Sequence, residues 1–205
     1  MAKSRAKKPP PTKPPTPAVA RQVFSELNAT FYTADPGEFL TMRVEALSLM
    51  AAPDEALAAS FGSERTIGAT QFGSMPVPDA EARQRYIQTE AVIIFHHAAE
   101  LVLRLFFAHT ERETCPWFAM AASTSFADFK DKVAKSLDAG FDRVEIAMVF
   151  LGGTDPKDAA IGATEEEFSE TVEAIRQLLH FAAYRLLKES FLYNASKHGL
   201  TAVQL

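Results

Sequence analysis

From Asp79 to about Glu111 the chain runs without proline or glycine, and apolar residues crowd its middle. Pro78 precedes the run, and Asp79 and Glu81 fall in its first turn, where acids meet the positive end of a helix dipole. The pattern predicts one helix over about 79–111, about 45–50 Å long. A second long run opens at Thr164. Thr164 and Glu167 have capping-box spacing, and Phe168, Val172, Ile175, Leu179, Ala182 and Leu186 form an apolar stripe. This predicts a helix over about 164–198, closed by Gly199, with Lys197 and His198 at the negative end of its dipole.

Shorter elements surround these two. Val19–Tyr32 reads as a helix with Val23, Leu27 and Phe31 on one stripe, ended by Asp35-Pro36-Gly37. Within 39–50, Leu40, Met42, Val44 and Ala46 alternate as a strand would, while Phe39, Met42, Ala46 and Leu49 fit a helix. Helix is the preferred reading, because no partner strand is evident. Residues 62–78 hold three glycines and two prolines and read as loop. Thr114-Cys115-Pro116 breaks the first long helix, and Ser125 is placed to cap a helix over 126–137 that Gly140 ends. Residues 144–151 read as a short apolar helix or a buried strand. The expected fold class is all-α: a bundle of five to seven helices built on the two long ones, with shorter helices packed against them.

Charge divides the chain. Residues 1–21 hold six of the 21 bases and no acid, which leaves 15 bases against 26 acids, or −11, on the remainder. The Pro/Lys-rich stretch 1–20 lacks the apolar residues that would offset its ordering entropy and is expected to be a disordered basic tail. Residues 21–205 are expected to form a single helical domain. An acidic body lacks the broad basic face of a duplex-binding protein. Cys115 is the single cysteine, so no intrachain disulfide can form, and a cytoplasmic, reducing setting is expected. No apolar stretch follows the basic start, so no signal peptide is expected. His96, His97, Glu100 and Arg104 interrupt the most apolar run and argue against a membrane span.

Those four residues are also the first chemical candidates. A buried charge without a partner costs several kcal/mol. The second long helix offers His180, Tyr184, Arg185, Glu189, Tyr193, Asn194 and Lys197 as partners, so a polar seam between the two helices is expected. His96 or His97 with Glu100 has the spacing of helical metal ligands, but the partner helix has no matching element. No metal and no cofactor are expected.

The stretch Tyr193-Asn194-Ala195-Ser196-Lys197-His198-Gly199-Leu200 resembles the Tyr-x-x-x-Lys run of short-chain dehydrogenases. Such enzymes need a glycine-rich pyrophosphate loop and alternating strands and helices, and the sequence holds neither. A second resemblance rests on Arg104-Leu105-Phe106-Phe107-Ala108-His109 in a long-helix bundle. It is similar to the Arg-x4-6-His signature of HEPN (higher eukaryotes and prokaryotes nucleotide-binding) domains, over about residues 79–200. The resemblance implies an RNA-binding or metal-independent RNA-cleaving module of the toxin or phage-defence kind, acting as a homodimer. Arg104 would grip the scissile phosphate, and His109 would serve as acid/base toward a 2′-hydroxyl. The run Asn194-x-x-Lys197-His198-Gly199 also looks like the end of some HEPN-related bundles, and by that resemblance His198 is the better acid/base candidate. His96, His97, Glu100, Tyr193, Asn194 and Lys197 are then candidate binding residues. The alternative is a non-catalytic protein-interaction or ligand-binding module in which the His/Glu/Arg seam only fixes helix register. Exposure separates the two: a closed, mutually bonded seam is structural, and an open cleft holding Arg104, Lys197 and His198 is a phosphate site.

Overall fold

The computed structural model describes residues 23–110, 116–121 and 126–199. The expected tail over 1–20, the break at Thr114-Cys115 and the cap at Ser125 lie outside the described residues. The chain begins with three helices, α1 (Phe24–Thr33), α2 (Pro36–Ser48) and α3 (Asp54–Phe61), and a hairpin of β1 (Arg65–Ile67) and β2 (Thr70–Phe72). It continues through α4 (Ala80–Thr110), α5 (Pro116–Ala121), α6 (Phe126–Ala139), α7 (Arg143–Ile146), α8 (Glu165–Lys188) and α9 (Ser190–Ser196). The fold is an all-α bundle with one small hairpin beside it.

α4 is the axis. Asp79 caps it by accepting the Ala82 N–H at 2.7 Å, and α2, α5, α8 and α9 all pack on it. By length and composition α4 could cross a membrane, with a mean hydropathy of 1.7 over its most apolar 18 residues. Its place amid four other helices is that of a bundle's core helix.

α8 begins as its sequence requires. Thr164 Oγ1 accepts the Glu167 N–H at 3.3 Å and Glu167 returns a carboxylate to the Thr164 N–H at 2.8 Å, so two orphan end groups are satisfied together. The Thr164 N–H and the Thr164 hydroxyl, both donating to Glu167 Oε2, hold the Glu167 carboxyl below its ordinary pKa. The apolar stripe is buried at Phe168, Val172, Leu179, Ala182 and Leu186. The helix does not reach His198, however. It ends at Lys188, Glu189 departs from helical geometry (φ −110°, ψ 17°), and α9 starts anew. At the joint the Glu189 side chain turns back to Arg185, Oε2 to Nε at 2.6 Å, and the Leu192 N–H bonds Glu189 O in a tighter, three-residue turn. Gly199 closes α9 at φ +72°, its N–H donating to Ser196 O.

Asp35 caps α2 through the Gly37 N–H, which resolves residues 39–50 as helix running into a 3-10 turn over Leu49–Ala51. Its apolar stripe is not its inward face. The stripe Phe39, Met42, Ala46 and Leu49 faces solvent, with Phe39 63% exposed, while Leu40, Arg43 and Leu47 turn inward. Residues 62–78 are not all loop: β1 and β2 pair antiparallel, Arg65 opposite Phe72, across a two-residue turn led by Gly68 at φ +61°. Residues 144–151 are helical, α7 passing into one wide π turn over Ala147–Leu151 that Gly152 ends at φ +78°. Gly140, at φ +88°, stops α6 two residues later than Leu137.

The core lies between α4, α6, α7 and α8. Leu103, Phe106, Val133, Ile146 and Leu179 are its largest fully buried apolar side chains among the described residues. Phe106 meets Phe107, Phe141 and Phe150 in one aromatic cluster, stacked on Phe150 at 6.2 Å. Each large apolar side chain so buried stabilises the fold by about 1.5–3 kcal/mol.

Candidate functional site

The inward face of α2 carries one cation, Arg43. Its Nη1 lies 2.6 Å from His97 Nδ1 on α4, and its Nη2 lies 3.5 Å from Glu90. His97 Nε2 in turn lies 3.1 Å from the Tyr193 hydroxyl on α9. A guanidinium can only donate. His97 Nδ1 is therefore the acceptor, and the ring is the neutral tautomer with its hydrogen on Nε2. That hydrogen is donated to Tyr193 Oη. Burial holds the His97 pKa below its ordinary value, and the Arg43 charge adds to this against the pull of Glu100 and Glu90. Three helices are thus joined by one directed chain, Arg43 to His97 to Tyr193.

His96 sits beside this chain and is 5% exposed. Its ring lies 5.4 Å from the Tyr193 ring and edge-on to Phe95. Burial lowers its pKa; Glu189 opposes the shift, and Arg185 and His97 reinforce it. Arg185 Nε and Glu189 Oε2 form an ion pair at 2.6 Å, but both atoms are buried without hydrogen-bond geometry between them. The break at Glu189 is what aims α9 so that Tyr193 reaches both histidines. Ser196, 2% exposed, keeps its hydroxyl without a partner among the described residues.

The remaining sequence candidates are not gathered here. Arg104 binds Glu100, Nε to Oε1 at 2.6 Å, and its guanidinium carbon lies over the Phe129 ring, 4.2 Å from the centroid. His109 is five residues on, about 140° around the helix. Its Nδ1–H donates to Leu105 O at 2.8 Å, which leaves Nε2 to accept the Tyr32 hydroxyl at 2.9 Å. No hydrogen bond or ion pair joins Arg104 to His109 among the described residues. Asn194, Lys197 and His198 are exposed at the end of α9, and His180 and Tyr184 are exposed on α8. Arg43, Glu90 and Tyr32 are the participants that the sequence did not announce. The lone cation on the inward i, i+3, i+7 positions Leu40, Arg43, Leu47 was the one signal available.

A different surface stands open. α8 carries five acids in residues 165–173 and none from Ala174 to Lys188. Its outer face there presents Phe181, Tyr184 and Lys188 at i, i+3 and i+7, with His180 exposed alongside. Phe191, 61% exposed, follows on α9. Phe181 packs edge-on to Phe95 at 5.9 Å, and the Arg185 guanidinium lies over both rings. Among the described residues no three His, Cys, Asp or Glu side chains converge as metal ligands. A shallow groove of about 390 Å³ lies between α7 and α8, but Arg143 within it is taken by Glu173, Nη1 to Oε2 at 2.6 Å. No protein-family model, curated protein or solved structure matches the chain.

Proposed function

We propose that the chain is a HEPN-like helical module that binds single-stranded RNA along the outer face of α8 and α9, in the cytoplasm. One observation carries this reading: on an acidic body, the half of α8 that is free of acids is also where aromatic rings are exposed, with His180 and Lys188 exposed among them. Exposed rings offer stacking platforms that accept any base, and interleaved cations track the phosphates. The seam of Arg43, His97, His96 and Tyr193 supports the bundle by fixing how α2, α4 and α9 meet. Fluorescence anisotropy with a labelled single-stranded RNA in EDTA tests the reading. Wild type should bind and Phe181→Ala/Tyr184→Ala should bind at least about tenfold more weakly at unchanged melting temperature. Equal binding by both proteins would refute it.

Two other readings have support of their own. The Nδ1–H anchored on Leu105 O leaves His109 Nε2 aimed at an exposed hydroxyl, the arrangement of a general base. It favours metal-independent RNA cleavage, with loss of cleavage in His109→Ala as its test and Arg104→Ala and His198→Ala beside it. The exposed stripe Phe39 and Met42 on α2, continued by Leu49 in the 3-10 turn after it, favours a protein-interaction module, a homodimer included. Sedimentation of wild type against Phe39→Ser/Met42→Ser tests that one, a dimer lost in the variant being the supporting result.

A further inference from the structure

The chain of donors through the seam ends on the Tyr193 hydroxyl hydrogen, for which the described residues supply no acceptor. Arg43 donates to His97 Nδ1, and His97 Nε2–H donates to Tyr193 Oη. Tyr193 Oη therefore acts as acceptor toward His97, and its own hydrogen must point elsewhere. No acceptor meets it among the described residues. The ring cannot swing away to hide the hydroxyl, since His96 packs on it at 5.4 Å and His97 edge-on at 5.6 Å. One turn further along α9, Lys197 lies with Nζ 5.6 Å from the Tyr193 ring centroid. Lys197 is exposed, and among the described residues no acid pairs with it.

We infer that the Tyr193 hydroxyl and the Lys197 ammonium together receive one phosphate oxygen, with Arg43 and His97 as positioning residues that set the direction of the Tyr193 hydrogen. A neutral O–H donor on one ring, with an ammonium over that ring that no acid pairs with among the described residues, is complementary to an acceptor that carries charge, and lysine meets phosphate as a point charge. Exposed Asn194 and His198 stand next to the pair on the helix surface at the same i, i+4 spacing. The stretch Tyr193-Asn194-Ala195-Ser196-Lys197-His198 is thus two adjacent pairs on one helix end, not a dehydrogenase motif. That the phosphate belongs to an RNA strand rests on the function proposed above. The phosphate chemistry itself does not.

A double-mutant cycle tests the inference. Labelled single-stranded RNA is titrated into wild type, Tyr193→Phe, Arg43→Met and the double variant, each checked for folding by melting. Tyr193→Phe keeps the ring and should weaken binding about tenfold. Arg43→Met frees His97 to accept the Tyr193 hydrogen, so it should weaken binding comparably. The double variant should be no weaker than either single variant. A merely structural Arg43 would instead leave affinity untouched in those molecules that fold, or add its effect to that of Tyr193→Phe. RNA binding in wild type that persists at full strength in Tyr193→Phe overturns the inference and leaves the RNA reading standing. Where wild type binds no RNA, the RNA reading fails, and melting in inorganic phosphate decides the site alone. Stabilisation of wild type but not of Tyr193→Phe upholds a free-phosphate site, and no difference between them overturns it.

Discussion

Arg43 Nη1 stands 2.6 Å from His97 Nδ1, and that contact fixes the protonation of a histidine 54 residues away in sequence. It also makes Arg43 a tie between α2 and α4. Replacing it with a side chain that cannot donate leaves His97 Nδ1 half-buried and without its partner. Arg43→Met should lower stability by about 1–3 kcal/mol, read as a shifted urea midpoint at constant slope. A midpoint equal to that of wild type would show that the seam contributes nothing to register.

His96 and His97 both hold pKa values lowered from 6.5, chiefly through burial. The unfolded chain therefore binds protons that the folded chain does not as pH falls below 6.5. The stability they contribute is complete above that value and is lost as pH falls through the lowered, folded values. The groups facing them are Arg43, Glu90, Glu100, Arg185, Glu189 and Tyr193. Stability from urea melts measured from neutral to mildly acid pH should fall by up to about 1.4 kcal/mol per pH unit for each histidine. His96→Gln should flatten the curve, and an unchanged slope in that variant would assign the pH dependence elsewhere.

Phe39 and Met42 form the most apolar stripe on α2 and yet face solvent, 63% and 65% exposed. Phe39→Ser should change stability of the monomer by no more than about 0.5 kcal/mol. Leu103, fully buried at the centre of α4, should cost about 2–5 kcal/mol when replaced by alanine. Comparable losses for the two variants would mean that α2 is seated the other way round.

The two long helices were legible because periodicity, caps and the absence of proline and glycine all agreed over many turns. The capping box at Thr164 and the helix end at Gly199 could be read residue by residue, since each is a local device. The orientation of α2 could not. Hydrophobicity alone favours burying Phe39, Met42, Ala46 and Leu49, and what reverses it is Arg43, whose partners Glu90 and His97 lie on another helix. The break at Glu189 carried no glycine or proline to announce it. The hairpin at β1 and β2 is exposed throughout, so it lacks the alternation that marks a strand with one buried face. Of the site, Tyr193, His96 and His97 were anticipated as a seam. Arg43 and Tyr32 were not, because nothing local marks a contact made across 54 or 77 residues.

Salt dependence is the sharpest test of whether the outer face of α8 and α9 holds a single strand of RNA. Anisotropy titrations of a labelled single-stranded RNA over a series of salt concentrations give affinity and its slope together. Lys188→Glu should reduce the slope of log affinity against log salt by at least about 0.7, one phosphate contact. Phe181→Ala/Tyr184→Ala should lower affinity at every salt concentration while leaving the slope unchanged. Binding whose slope and strength are the same in all three proteins would place the RNA, if it binds at all, on some other surface.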